Sequence, residues 1–238
     1  MEIHTRPTTR VAGQTPIPAR AGAGRLTLRI RHRTYDPEHL ASDEYVISAD
    51  EKTSIQARVR IAPTQPAEPG QAMRVEFEYE RGGALAYLAA WDVRRAKIFG
   101  YCDPTTGIAP FDNLVQQVMS QEPYRQAKRV FWIVDNGSSH RGQAACQRLQ
   151  QRYSNLVLVH LPVHASWLNQ VEIYFSVVQR KVLTPNDFPC LDAVATRLLE
   201  FQEYYEQVAK PFEWKFTRVE LKELVTKLKD PPACALAA

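Results

Sequence analysis

At 238 residues, with 45% hydrophobic and 24% charged residues, the chain has apolar material for one well-cored domain and too much of it for intrinsic disorder. Its net charge of +4 suits nucleic acid without singling it out. The scattered Cys102, Cys146, Cys190 and Cys234 show neither CxxC nor Cys/His ligand spacing, which excludes a zinc ribbon and a disulfide framework.

In chain order, residues 1–42 form a basic arm. Seven arginines lie between positions 1 and 34 against one acid, Glu2, and only "RLTLRIR" (25–31) alternates like a strand. The arm is read either as a loosely ordered segment or, the favoured reading, as a basic segment that lies on phosphates. "EYVISAD" (44–50) predicts a strand ending in Asp50, and a Pro/Gly-rich loop (61–72) follows. "MRVEFEYE" (73–80), "ALAYLAAWDV" (84–93) and "AKIFGYC" (96–102) predict three more strands, the last two joined as a hairpin. A helix ("FDNLVQQVMSQEP"), a buried strand ("RVFWIVD", 129–135), a turn ("NGSSHR"), a helix ("GQAACQRLQQRY") and a strand ("NLVLVHLP", 155–162) come next. "HASWLNQVEIYFSVVQRK" (164–181) reads as an amphipathic helix whose buried stripe is Trp167, Leu168, Val171, Phe175 and Val178. A long helix follows at 191–210, and a last one starts at a Thr217/Glu220 capping box. The order β, β, β, β, α, β, α, β, α, α, α implies a mixed sheet with helices on both faces. No run reaches membrane-spanning length and no signal-peptide core opens the chain, so a cytoplasmic protein is expected.

Three carboxylates stand out. Asp50 and Asp135 both end strands, where strand stability does not ask for aspartate. On parallel neighbouring strands they would emerge at one edge about 5 Å apart, where open α/β sheets place their chemistry. Two carboxylates that close repel unless a divalent cation is shared between them. Glu172 sits one residue off the helix stripe, with no basic residue one helical turn away. It is positioned to complete a two-metal site for phosphoryl transfer. Each aspartate taken alone is more often a turn or cap residue, so the case rests on the trio.

With these residues placed, the chain resembles the catalytic domain of an insertion-sequence DDE transposase of the mariner-like superfamily, with a ribonuclease-H-like fold. The matching words are "ADEKTSIQAR", "VEFEYERGGALAYLAAWDV", "VDNGSSH", "HASWLNQVEIYFSVVQRKVL" and "KPFEWKFTRVEL", spread over about residues 34–229. The resemblance implies an α/β fold with a mixed five-stranded sheet flanked by helices. It implies a catalytic domain at 43–230, a flexible tail at 231–238, and Asp50, Asp135 and Glu172 as catalytic and metal-binding triad. Thirty-six residues separate the second and third members, close to the spacing of this group. Two Mg2+ (or Mn2+) ions are implied, Asp50 bridging both, Asp135 holding one and Glu172 the other. So are hydrolysis of a phosphodiester at a transposon end and attack of the freed 3′-hydroxyl on a TA target. DNA is the implied partner, with no membrane and a homodimer as a candidate assembly at the nucleoid. The group's N-terminal helix-turn-helix modules have no counterpart in residues 1–33, so a truncated copy or isolated catalytic portion is expected. Two other readings stay open: a structure-selective nuclease on the same fold, and a non-catalytic DNA-binding remnant.

Neighbouring residues carry weaker signals. Asn169, His140, Arg180 and Lys181 are candidate DNA contacts; Asn169 is read as a residue that contacts DNA or holds the carboxylate, and equally as one that caps or hydrogen-bonds near the helix start. Ser138, Ser139 and His140 are read as turn residues, because adjacent positions are poorly placed for a nucleophilic Ser–His pair and no orienting acid is evident. His160 and His164 have Pro162 between them and do not share a helical face. A loop role is expected for them rather than zinc.

Overall fold

The computed structural model describes residues 40–162 and 166–213. Most of the basic arm, the candidate strand at 25–31, His164, the helix expected from Thr217 and the tail at 231–238 lie outside the described residues.

The strands β1 (Glu44–Arg60), β2 (Tyr79–Asp92), β3 (Ile98–Asp103), β4 (Arg129–Val134) and β5 (Leu156–His160) form one sheet in the order β3-β2-β1-β4-β5. β1, β2 and β3 pair antiparallel, whereas β4 and β5 run parallel to β1. The described helices are α1 (Ile108–Met119), α2 (Gly142–Arg152), α3 (Val171–Lys181) and α4 (Leu191–Val208). The mixed five-stranded α/β sheet expected from the sequence is observed.

Alternation along the strands divides the core into two layers. Val46, Phe131 and Ile133 face a layer shared with Val171 and Phe175 of α3 and Val194 and Leu198 of α4. Ile47, Ala49 and Trp132 face the layer of Phe111 and Leu114 from α1 and Leu149 from α2. Strands covered on both sides read as continuous apolar runs, which is why "VFWIV" is unbroken in β4.

Three local expectations change. β1 does not end at Asp50. It continues to Arg60 because residues 51–60 keep pairing with β2, from Glu51↔Leu88 to Arg60↔Tyr79. What stops near Asp50 is the other partner: the parallel ladder with β4 ends at Ser48↔Ile133. The strand expected at 73–80 contributes only Tyr79 and Glu80 to β2. The rest of it makes one isolated bridge, Gln65↔Arg74, and Phe77 is 91% exposed, so its alternation faces no core. The helix expected from residue 164 is a short 3-10 turn, Ser166–Leu168, followed by α3 from Val171. Tyr174, fully buried, takes the place in the stripe expected for Trp167, which is 38% exposed.

Past Ser48 the β4-side edge of β1 has no strand beside it among the described residues. A single side chain covers part of that edge: Asn186 Oδ1 accepts from Arg58 N (3.3 Å) and its Nδ2 donates to Gln56 O (2.7 Å).

The β2–β3 hairpin closes on Asp92, which is fully buried. Its Oδ1 accepts from the amides of Arg94 and Arg95 (both 3.0 Å), and its Oδ2 accepts from Tyr124 Oη (2.7 Å). Across that hairpin, a Cβ at Gly100 would lie 2.8 Å from Leu88 O and 2.9 Å from the Tyr87 ring. Tyr87 cannot retreat freely, because its hydroxyl hydrogen-bonds with Tyr174 (3.1 Å) and donates to Gln202 (2.9 Å). Gly100→Ala is therefore expected to destabilise the fold by about 1–3 kcal/mol, read as a lower urea midpoint with an unchanged m-value.

Candidate active site

Ser48 and Asp50 lie on the α3 side of the sheet, two polar groups in an otherwise apolar layer. Asn169, itself fully buried, satisfies both. Its Oδ1 accepts from Ser48 Oγ, while its Nδ2 donates to Ala49 O (2.8 Å) and Asp50 Oδ2 (3.1 Å). Ser48 Oγ in turn accepts from the amide of Val171 (3.0 Å), one of the donors that a helix start leaves without an intrahelical partner. The strand thereby fixes the N-terminus of α3, and Glu172 is the next residue. Asn169 thus holds the carboxylate. It is buried, and both polar atoms of its side chain are hydrogen-bonded within the chain.

Asp50 is 7% exposed, and Glu51 N donates to its Oδ1 (2.8 Å). Burial pushes its pKa up to about 7; that backbone hydrogen bond opposes the shift, and the charges of Asp135, Glu172 and Glu51 add to it.

Continuing the β1–β4 register two residues beyond Ser48↔Ile133 sets Asp50 opposite Asp135. Asp135 has the opposite electrostatics. Its Oδ1 hydrogen-bonds with His140 Nε2 (2.7 Å) and accepts from Gly137 N (2.7 Å). The His140 bond, first, and then the Gly137 amide hold its pKa below the ordinary value against partial burial. Gly137 is needed for this approach, since a Cβ there would lie 3.0 Å from both Asp135 Oδ1 and His140 Cε1.

Glu172 is raised in pKa by burial; Lys52 opposes this, Asp135 adds to it, and a hydrogen bond with Asp50 lowers it. Helix spacing showed no basic neighbour for Glu172. The structure supplies one from another element, Lys52, two residues past Asp50 on β1. The three predicted carboxylates are therefore brought within mutual electrostatic reach.

The residues around Asp135 correct a further expectation. Adjacent Ser139 and His140 do pair, with Oγ to Nδ1 at 2.9 Å, and acids do flank them: Asp135 on Nε2 and Glu51, whose Oε1 accepts from Ser139 Oγ (3.2 Å). The assignment as turn residues stands for a different reason. Ser139 is 5% exposed and its hydroxyl is shared by two partners, so no electrophile reaches it. His140 is fully buried, its ring 4.7 Å from that of Phe111, and its Nε2 supports Asp135. His160 Nε2 donates to His140 O (2.6 Å), a loop-fixing role. Arg180 and Lys181 are exposed in the last turn of α3, apart from the cluster.

Ser48, Glu51 and Lys52 escaped the sequence reading. The signal for Ser48 was a polar residue at a core-facing position of an apolar strand; for Glu51 there was none short of the fold.

The donor set of Asp50, Asp135 and Glu172 is all oxygen, which fits a hard divalent cation such as Mg2+ or Mn2+, and mutual repulsion gives such an ion a reason to bind. Among the described residues no three His, Cys, Asp or Glu side chains stand in ready ligand geometry. No helix among them is long and apolar enough to cross a membrane.

The family pattern of the DDE superfamily endonucleases matches residues 45–195, which include all three carboxylates. No curated protein matches the chain significantly. Among solved structures, the Mos1 mariner paired-end complex with Mn is similar at 18% identity and a TM-score of 0.54, over 86% of this chain and 62% of that one. A pre-cleavage Mos1 transpososome is similar at 16% identity and 0.53, over 87% and 63%. The catalytic domain of Mos1 mariner transposase is similar at 14% identity and 0.50, over 78% and 85%. The fold is therefore ribonuclease-H-like. The chain spans less than two thirds of the length of the first two proteins.

Asp50 dictates a pH dependence. Its folded pKa, about 7, lies above the ordinary 3.8, so the folded state keeps a proton that the unfolded chain releases. That stability is complete below about pH 4 and is lost as pH rises towards 7. The raised Glu51 and Glu172 act in the same direction, whereas Asp135 loses its contribution only on acidification below its ordinary value. In EDTA the protein is expected to melt lower at about pH 8 than at pH 5, by calorimetry. Asp50→Asn should remove most of the difference, on the order of 3 kcal/mol.

Proposed function

The chain belongs to the DDE superfamily endonucleases, and from that premise we propose that it is the catalytic portion of an insertion-sequence transposase, cutting DNA at transposon ends and joining them to target DNA. The observation that carries this reading is the meeting of Asp50, Asp135 and Glu172 inside the family-matched segment, each sensing the charge of at least one other. Three carboxylates so placed repel without a cation, and the similar paired-end complex is one with Mn.

In this reading Asp50, Asp135 and Glu172 hold two Mg2+ or Mn2+ ions. The ions supply charge neutralisation and polarise the phosphoryl oxygens for in-line displacement. The chain's own residues do the positioning. Asn169 orients Asp50 through Oδ2, and Ser48 seats the helix that carries Glu172. His140 and Gly137 occupy Asp135 Oδ1, and Oδ2 is the oxygen that would serve as metal ligand. The two reaction steps share one geometry, because each replaces one oxygen on phosphorus by another: first water displaces a 3′-oxygen, then the freed 3′-hydroxyl attacks target DNA. Arg180 and Lys181, exposed on α3, take phosphates beside the site. DNA is the substrate, the nucleoid is the place of action, and a homodimer brings two ends together.

A strand-transfer assay tests the reading, using pre-cleaved ends from the DNA flanking the coding sequence, a target plasmid and Mn2+. Joined product is expected from the wild type, and Asp50→Asn, Asp135→Asn and Glu172→Gln should each lower it by about a hundredfold or more. Nicking without joining would identify a nuclease of the same fold instead, and DNA retention with neither activity a non-catalytic remnant. Sedimentation of the joined complex reads the dimer.

His140→Ala is expected to leave the fold intact and to weaken Mn2+ binding about 10- to 100-fold, read from the free-Mn2+ EPR signal. Unchanged Mn2+ affinity would remove His140 from the support of Asp135.

A further inference from the structure

Beyond Asp50, strand β1 changes from acidic to basic. Lys52, Arg58 and Arg60 line a cavity of about 440 Å3, and none of its other lining residues is acidic. Arg58 and Arg60 hold their guanidinium carbons 4.7 and 5.4 Å from the centre of the Tyr79 ring. Arg60 also donates to Glu76 O and, at 3.0 Å, to Asn186 O. Arg81 stands directly opposite Arg58 in the β1–β2 ladder, an arrangement of like charges that destabilises a sheet. Among the described residues no carboxylate forms an ion pair with Arg58, Arg60 or Arg81. Three guanidinium groups are thus gathered, two of them against one ring, and among the described residues no carboxylate is ion-paired with them. Backbone carbonyls fix Arg60 in place, and fixed guanidinium charge left without an ion pair matches phosphate.

The position of the cavity selects among phosphates. Lys52 is two residues from Asp50 along the strand, about 7 Å, and Arg58 is eight residues away, at most about 26 Å. B-DNA carries one phosphate about every 3.4 Å along each strand. A duplex laid along β1 with its scissile phosphate at Asp50 would therefore present another phosphate at Arg58 roughly six to eight nucleotides away.

We propose that the cavity bounded by Lys52, Arg58 and Arg60 is a phosphodiester-backbone site, gripping the DNA arm six to eight nucleotides from the bond being cut, about the reach of β1. This inference rests on the reading that the carboxylate cluster acts on DNA. The site carries no base readout: its donors are guanidinium and ammonium groups that meet backbone charge, and its role is to set the angle at which the arm leaves the catalytic carboxylates.

Fluorescence anisotropy on the full chain in EDTA, with labelled duplexes, tests it. The double variant Arg58→Gln/Arg60→Gln is expected to bind about tenfold more weakly, with the slope of log affinity against log salt shallower by about 1.8. Arg58→Lys/Arg60→Lys should keep most of the slope, which separates charge from packing, and thermal melts check that both variants fold. Arg125→Gln, four residues before the start of β4 at the opposite end of the sheet from Asp135, should change little. Shortening the duplex arm from about 15 to about 5 base pairs should weaken the wild type and leave the Gln variant nearly unaffected. Equal affinity and slope in the wild type and the Gln variant would overturn the site, as would an equal loss in Arg125→Gln. The two readings fail separately. A wild type that joins ends while the Gln variant binds unchanged removes the groove alone. A wild type that shows the arm-length dependence yet neither cuts nor joins removes the transposase reading and leaves the groove.

Discussion

A carboxylate at the rim of an apolar layer is the constraint around which the rest is arranged. Asp50 lies against the core that docks α3, and burial resists its charge. One residue answers that difficulty. Asn169 gives Asp50 a hydrogen bond, takes one from Ser48 and closes on the carbonyl between them. The same Ser48 accepts from the first amide of α3. Keeping Asp50 satisfied and seating the helix that carries Glu172 are therefore one set of hydrogen bonds, and neither carboxylate can be repositioned without disturbing the other.

The two aspartates at this edge are held by opposite means. Asp50 is desolvated and pushed towards neutrality, whereas Asp135 is stabilised as an anion by His140 and Gly137. The difference follows from the topology. β1 continues past Asp50 with β2 beside it, so Asp50 is mid-strand and enclosed. β4 ends at Val134, so Asp135 enters a turn whose amides and imidazole are free to meet it. Behind His140 the chain of contacts runs through Ser139 to Glu51, the neighbour of Asp50 on the other face of β1. The strand thus acts on Asp135 from both of its faces, by the charge of Asp50 on one and through Glu51, Ser139 and His140 on the other.

Much of this was legible in the sequence because it rested on local pattern. Unbroken apolar runs marked β4 and the central part of β2, and the 3.6 period marked α3 and α4. The aspartates stood out because strands do not select them. Where the reading failed, the deciding contact was non-local. Asp50 looked like a strand end because "SAD" looks like one, but pairing with residues of β2 distant in sequence, from Glu51↔Leu88 to Arg60↔Tyr79, carries the strand on. Residues 73–78 alternate without a sheet to face. Trp167 kept the helical period, yet the backbone there turns as a 3-10 segment because Asn169 must point back to β1. The Ser139–His140 pair was dismissed on sequence adjacency; the turn that permits it is set by a glycine and by Asp135 itself. Lys52 beside Glu172 was out of reach of helix arithmetic, since it comes from another element.

The Asn186 side chain on β1 has a meaning beyond local hydrogen bonding. A long strand with one open flank is a template on which a second extended chain can grow, and proteins that survive at working concentrations blunt such flanks. Asn186 offers the amide and carbonyl that an added strand would offer, in the same spacing, and occupies the two ladder positions at Gln56 and Arg58. A single side-chain amide thus fills two positions that an added strand would take and guards that stretch of backbone against self-association.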